Sequence, residues 1–246
     1  MSKLDAFRLE VIRNAFVAAA EEMSVTIWRT SRSTVVREIL DYSTAVFDAN
    51  GRNLAQSARI PVHLNSMAGC LQALISNFLP LEKWQEDNLI LLNDPYNGGQ
   101  HLPDIITFRA VFLDGARIGI VGTLCHHSDV GGGAAGSYYA DATEIFQEGL
   151  RIPPLNIPST NIIENAAVKV MLANVREPEK LEGDFLAQIS ALEIGKQAMQ
   201  RIHSKYGNKI YSAFIYQGFG LVEKVKKDLD FQFKSLTRNF VSWSTL

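Results

Sequence analysis

Residues 3–30 carry Phe7, Val11, Ala15, Phe16, Ala19, Met23 and Ile27 at three- and four-residue steps, the spacing of one helix face. Ile27 and Trp28 near the end of this helix predict packing on a sheet or a partner. Ser31 to Ser33 break the pattern. Residues 35–47 then read as extended, and Asn50-Gly51 suits a hairpin turn into a returning strand at 54–60. Residues 66–78 place Met67, Leu71, Leu74, Ile75 and Phe78 on one helical face, and Pro80 ends it. A short apolar strand follows at 89–92.

Residues 105–113 and 116–125 are rich in Ile, Val, Phe and Thr, which suit a pleated, half-buried surface. Asp114-Gly115 between them is a strong hairpin signal, because Gly tolerates positive φ and Asp nearly so. Pairing Leu113 with Ala116 and running the ladder back sets Asp104 opposite Cys125, beside His126 and His127. Residues 131–149 are a glycine-rich irregular loop over the site, and a loop of that length is usually functional or disordered. The last third is helical: Asn161 and Glu164 form a capping-box pattern before a helix to about 173, and Pro178 starts a helix that Gly207 stops. A final helix spans about 208–229. Residues 231–246 are Ser/Thr-rich without a period and read as an atypical tail after a domain spanning 1–230. The pattern predicts an α+β fold: a mixed or antiparallel sheet with a functional hairpin, a long N-terminal helix and a helical C-terminal third.

Composition adds exclusions. The 246 residues are 47 % hydrophobic and 20 % charged, as in ordinary globular proteins. A net charge of −2 gives no electrostatic case for nucleic acid or an anionic membrane. Two cysteines, Cys70 and Cys125, make no disulfide framework; Cys125, beside His126, reads as a small buried hydrophobe rather than a ligand or nucleophile. No signal peptide or stretch of about 18 apolar residues is visible, so the expected compartment is the cytoplasm.

The chemistry concentrates in residues 93–133. The hairpin delivers His101, Asp104, His126, His127 and Asp129 to one end of one β-ribbon. Side chains alternate faces along a strand, so a strict two-residue turn puts His127 on the face of Asp104, whereas a bulge puts His126 there. Imidazole and carboxylate together suit Zn, Mn, Fe or a similar divalent ion, and two or three protein ligands with open positions make a catalytic site. Gly98-Gly99 and Gly131-Gly132-Gly133 are expected to admit a ligand closely and to offer N–H groups to an anion. Asp94, before Pro95, is expected to cap backbone N–H groups or to support His101. His63 reads more readily as a satisfied loop histidine than as a site residue. Glu148 and Arg151 read as a solvated pair.

Asn93-Asp94-Pro95-Tyr96 with Gly98-Gly99, His101 and Asp104, then His126-His127-Ser128-Asp129-Val130-Gly131-Gly132, then Glu148-Gly149-Leu150-Arg151-Ile152-Pro153-Pro154, resemble the hydantoinase B/oxoprolinase family. That family includes the B subunit of ATP-dependent N-methylhydantoinase, the C-terminal half of 5-oxoprolinase and the metal-binding subunit of acetone carboxylase. The resemblance runs to about Asp228, with Ala135 where the family usually has Pro. Members are about twice this length, so the chain resembles an N-terminal half. The resemblance implies a divalent metal on His101, Asp104 and His126; beside it, His127 and Asp129 are candidates for general base and its orienter. It also implies hydrolysis of a hydantoin or 5-oxoproline ring amide, activated by a separate ATP-using A-type subunit in a hetero-oligomer, with a further chain supplying the missing half. The chain itself has no G-x-x-x-x-G-K-[ST] motif, in keeping with that division. A subunit of an acetone-type carboxylase and an inactive remnant are the other readings.

Overall fold

The computed structural model describes residues 4–243 apart from Leu64, with side chains described up to Gly220 except that of Ala58. The chain divides into two units, residues 13–202 and a smaller one formed by residues before 13 and after 202.

The larger unit is built on a six-stranded antiparallel sheet in the order β2-β1-β5-β4-β3-β6. The strands are β1 (Tyr42–Asp48), β2 (Asn53–Ala58), β3 (Asn88–Leu92), β4 (Asp104–Leu113), β5 (Ala116–His126) and β6 (Leu155–Pro158). The helices are α1 (Ala6–Thr30), α2 (Ser66–Asn77), α3 (Ala166–Ala173) and α4 (Pro178–Trp243). Both long hairpin strands are buried along most of their length, so the sheet is covered on two faces. One face carries Ala45, Phe47, Ile106, Phe108, Ala110, Ile120 and Leu124 against Met67, Cys70, Leu71 and Leu74 of α2. On the other face the Thr44 hydroxyl donates to the Ala20 carbonyl of α1, and Gln188 of α4 donates to Thr123 of β5. Gly119 permits this close approach: a Cβ there would sit 2.1 Å from the Met199 methyl and 2.6 Å from the Phe47 carbonyl oxygen. A second apolar cluster joins Leu89, Leu91, Ile105, Val168, Met171 and Phe185.

Several expectations shift. The buried stripe of α1 holds Phe16, Ala19, Ala20, Met23 and Ile27, while Phe7, Val11 and Trp28 face outward. Residues 35–40 are not strand: Val35–Ile39 form one π-helical turn, closed by Leu40 at φ 62°. Two β-branched residues at its start made it look extended. Asn165, not Asn161, caps α3, its side chain accepting from the Ala167 amide. The four-residue β6, which follows Pro154 and ends on Pro158, is too short to show a period. Gly207, at φ 73° and ψ 158°, interrupts α4, but helix resumes and runs to Trp243, across the expected tail; the tail's side chains and residues 244–246 lie outside the described residues. In the smaller unit the Leu4 amide donates to Gln217, and the rings of His203 and Tyr211 meet at 5.0 Å.

Candidate metal centre

The β4–β5 hairpin turns at Asp114 and Gly115, at φ 51° and 75°, the positive values a type I′ turn requires. Leu113 pairs with Ala116, as expected. The ladder then shifts by one, because Val111 faces Gly119 while Phe112 faces Arg117. Ile118 is the extra residue of a β-bulge. Asp104 therefore lies opposite His126, and Cys125 lies opposite Ile105. The bulge resolves the open alternative: His126 joins Asp104 on the α2 face, and His127 turns to the α4 face.

His101, Asp104 and His126 each offer a ligand atom, all within 4.8 Å of one another, so this trio could hold a metal ion. His101 Nδ1 is 3.0 Å from Asp104 Oδ2, and His126 Nδ1 is 3.4 Å from Asp104 Oδ1. Two residues outside the expected set join them. Asp41, beyond the π-turn, brings Oδ2 within 3.8 Å of His126 Nδ1. His63 brings Nε2 within 3.3 Å of Asp41 Oδ1 and 3.8 Å of Asp104 Oδ2. Asp41 Oδ1, His101 Nδ1 and Asp104 Oδ1 are buried and complete no hydrogen bond. Stranded buried polar atoms of this kind are costly unless a partner is supplied. Two carboxylates and imidazole nitrogens turned toward each other without aligned hydrogen bonds are the donor set a divalent cation takes. The residues fit such an ion.

Electrostatics agree. Burial alone would raise the Asp104 pKa, but the imidazoles of His101 and His126 outweigh it and hold the carboxyl at about 2. Contact with Asp104 lifts the His101 pKa against the opposing effect of burial. Burial lowers that of His63, against the pull of Asp104 and Asp41.

A cleft of about 240 Å³ opens beside His101, lined by Pro103, Ser137, Tyr138, Tyr139 and Glu148. The Tyr138 ring stacks on His126, centroids 5.9 Å apart and planes 17° apart. The long loop thus stands over the cluster.

His127 and Asp129 are not brought together with it, nor do they bond to each other. His127 is fully buried; its Nε2 lies 3.0 Å from Gln188 Oε1. Burial lowers its pKa, opposed by Asp184 and Gln188. The Asp129 carboxylate accepts from the amides of Gly131, Gly136 and Arg176 and from the Arg176 guanidinium. Three of the glycine amides are already taken: Gly99 donates to the Asp94 carbonyl, Gly131 to the Asp129 carboxylate and Gly133 to the Gln147 carbonyl. Asp94 caps the turn after it, accepting from the Tyr96 amide and Asn97, and does not touch His101. Arg151 pairs with Asp94 rather than Glu148, and its guanidinium lies over the rings of Tyr96 and Phe146. Cys125 is buried with its thiol pKa pushed well up, and Cys70 is pushed up to about 12. Both behave as small hydrophobes.

Sequence reasoning missed Asp41 and Asn93. Asn93 is fully buried; its amide donates to the carbonyls of Leu102 and Leu150 and its oxygen accepts from Ile152 N. It ties the first loop to the exit of the second. A polar residue closing the apolar run Leu89 to Leu92, at the start of the Asn93-Asp94-Pro95-Tyr96 motif, was its signal.

An antiparallel sheet with a histidine–carboxylate cluster at one hairpin end defines the class: an α+β protein with a candidate divalent-metal centre. The chain belongs to the hydantoinase B/oxoprolinase family, whose model matches residues 5–228. It is 33 % identical over 209 residues to the caprolactamase subunit beta of Pseudomonas jessenii, covering 84 % of this chain and 35 % of that subunit. It is 31 % identical over 245 residues to the 5-oxoprolinase of Dictyostelium discoideum, covering all of this chain and 19 % of that protein. The crystal structure of ATP-dependent caprolactamase from Pseudomonas jessenii superposes with a TM-score of 0.80 at 31 % identity, over 88 % of this chain and 37 % of that one. Nucleotide-free acetone carboxylase shares the fold, at a TM-score of 0.78 and 19 % identity over 86 % of this chain and 28 % of that one. The chain thus spans about a third or less of these relatives' length. Among the described residues no helix is long and apolar enough to cross a membrane.

Proposed function

We propose that the chain is the metal-binding part of an ATP-dependent cyclic amidase acting on a lactam-type ring. The observation that carries this is the group of stranded ligand atoms on the α2 face, in a chain whose relatives are named for 5-oxoproline and caprolactam. His101, Asp104 and His126 would hold a Mn, Zn or Fe ion, which when bound supplies a Lewis acid able to polarise an amide carbonyl or acidify water. The ATP-using step is assigned to a separate A-type partner in a hetero-oligomer, a division in keeping with the relative named as a caprolactamase subunit beta.

The chain's own residues do the rest. Tyr138, Tyr139 and Pro103 flank the approach to His101 and limit water there. His127, expected as general base, instead braces the end of β5 from the α4 side through Gln188. Asp129, expected as its orienter, folds the loop that carries Tyr138. Both act as positioning residues in this proposal.

Loading the purified chain with Mn or Zn and counting bound ions tests the centre. Wild type should take up one ion and His101→Ala far less; equal occupancy discards the site. Product analysis with an A-type partner, ATP and 5-oxoproline, a hydantoin, caprolactam or acetone tests the reaction. Ring-opened product supports the amidase, and carboxylated acetone with no ring opening overturns it.

A further inference from the structure

His63 stands against the candidate centre without belonging to the His101–Asp104–His126 trio. It is 1 % exposed, at the end of a single 3-10 turn, Pro61–His63, just before α2. Its backbone is pinned three ways: its amide donates to the Ile60 carbonyl, and its carbonyl accepts from Gln56 Nε2 and Ser66 Oγ. Its ring is fixed at both nitrogens. Nδ1 lies 2.9 Å from Ser43 Oγ, and Nε2 faces Asp41 Oδ1 at 3.3 Å and Asp104 Oδ2 at 3.8 Å.

Ser43, His63 and Asp41 have the composition of a hydrolase triad, but Ser43 is 0 % exposed on β1. A substrate carbonyl cannot reach its hydroxyl, so the serine is no nucleophile. Ionised carboxylates only accept hydrogen bonds. A ring nitrogen facing two of them therefore carries the proton. With that assignment Nε2–H is the donor on the side of Asp41 and Asp104, and Nδ1 is left to accept from the Ser43 hydroxyl.

We propose that His63 is a positioning residue: locked by Ser43, it presents Nε2–H to Asp41 Oδ1 and Asp104 Oδ2 and so holds both carboxylates beside His101 and His126 at the cation site. The contact with Asp41 is a polar approach rather than an aligned hydrogen bond in the structure, where Asp41 Oδ1 has no partner. The donor holds the two carboxylates together against their mutual repulsion. This inference rests on the metal-centre reading above and assigns to that centre a support outside the ligand set. Such supports are worth roughly 10–100-fold in metal affinity.

The test uses the full chain, Mn2+ as probe, and chelator competition. His63→Leu should weaken Mn2+ binding by roughly 10–100-fold. His63→Gln, whose amide nitrogen restores a donor near the Nε2 position, should recover most of that loss. Ser43→Ala should weaken binding less than His63→Leu. A folded His63→Leu that binds Mn2+ as tightly as wild type, or a His63→Gln no better than His63→Leu, overturns the proposal. The tautomer is read separately in the metal-free wild type by long-range nitrogen–proton NMR, with the His63 signal assigned by its loss in His63→Gln. A proton on Nε2 is expected, and one on Nδ1 overturns the proposal even if His63→Leu fails to fold. Failure of wild type to take up any divalent ion sinks the metal centre instead, and the tautomer then still decides the role of His63 toward the two carboxylates.

Discussion

The Asp129 carboxylate accepts three backbone amides and one guanidinium, which outweigh burial and hold its pKa below the ordinary carboxylate value. A group whose folded pKa lies below its unfolded one contributes stability above the unfolded value, about 4, and loses it as pH falls through the folded value. Asp129→Asn should therefore lower the urea midpoint at pH 7, with the difference from wild type shrinking below about pH 4. A constant difference across that range would locate the effect elsewhere. Asp129 and His127 looked catalytic in sequence because they flank a glycine run beside His126. Nothing local distinguishes an aspartate that folds a loop from one that faces a substrate. Asp41 was illegible for the opposite reason, since it sits in a stretch that reads as plain strand and meets the histidines only through β1–β5 pairing.

Elements were legible where one period or one turn decided them. The β4–β5 hairpin followed from Asp114-Gly115 and two β-rich runs, and α2 from its apolar spacing. The bulge at Ile118 was not, because an extra residue in a ladder leaves no trace in composition. The α4 interface with the hairpin was equally hidden. Gln188 there donates to the Ile105 carbonyl and the Thr123 hydroxyl, and its oxygen faces His127. Replacing it with Leu takes a partner from the Ile105 carbonyl and leaves the His127 ring without one, at about 1–3 kcal/mol for each buried group left unpaired, while Thr123 keeps the Thr107 hydroxyl. Gln188→Leu should lower the melting temperature and, by loosening the end of β5, weaken Mn2+ uptake. Unchanged uptake would show that His126 needs no bracing from α4. In the long loop, a Cβ on Gly132, at φ 85°, would meet the Gln147 carbonyl oxygen at 2.6 Å. Gly132→Ala should displace Tyr138 from His126, read as a change in tyrosine fluorescence on metal loading.

At the scale of the molecule, a cation that binds only the folded chain stabilises it by mass action. A free ion concentration 100 times the dissociation constant adds about 2.7 kcal/mol. The melting temperature of wild type should therefore rise with added Mn2+ while that of a folded His101→Ala barely moves. A wild-type melt indifferent to Mn2+ would count against the centre. The α+β class and the site-bearing hairpin were visible in the sequence. The helix through residues 231–243 was not, because tail residues without a clean period carry no sign of their conformation.

The extra residue at Ile118 makes the hairpin a counter that works in twos. Lengthening or shortening it by an even number of residues between Asp104 and His126 preserves which imidazole looks toward α2. An odd change exchanges His126 for one of its neighbours, with every element otherwise intact. A one-residue change within either strand must then be matched by a second odd change, in the other strand or in the turn, or the cluster is lost.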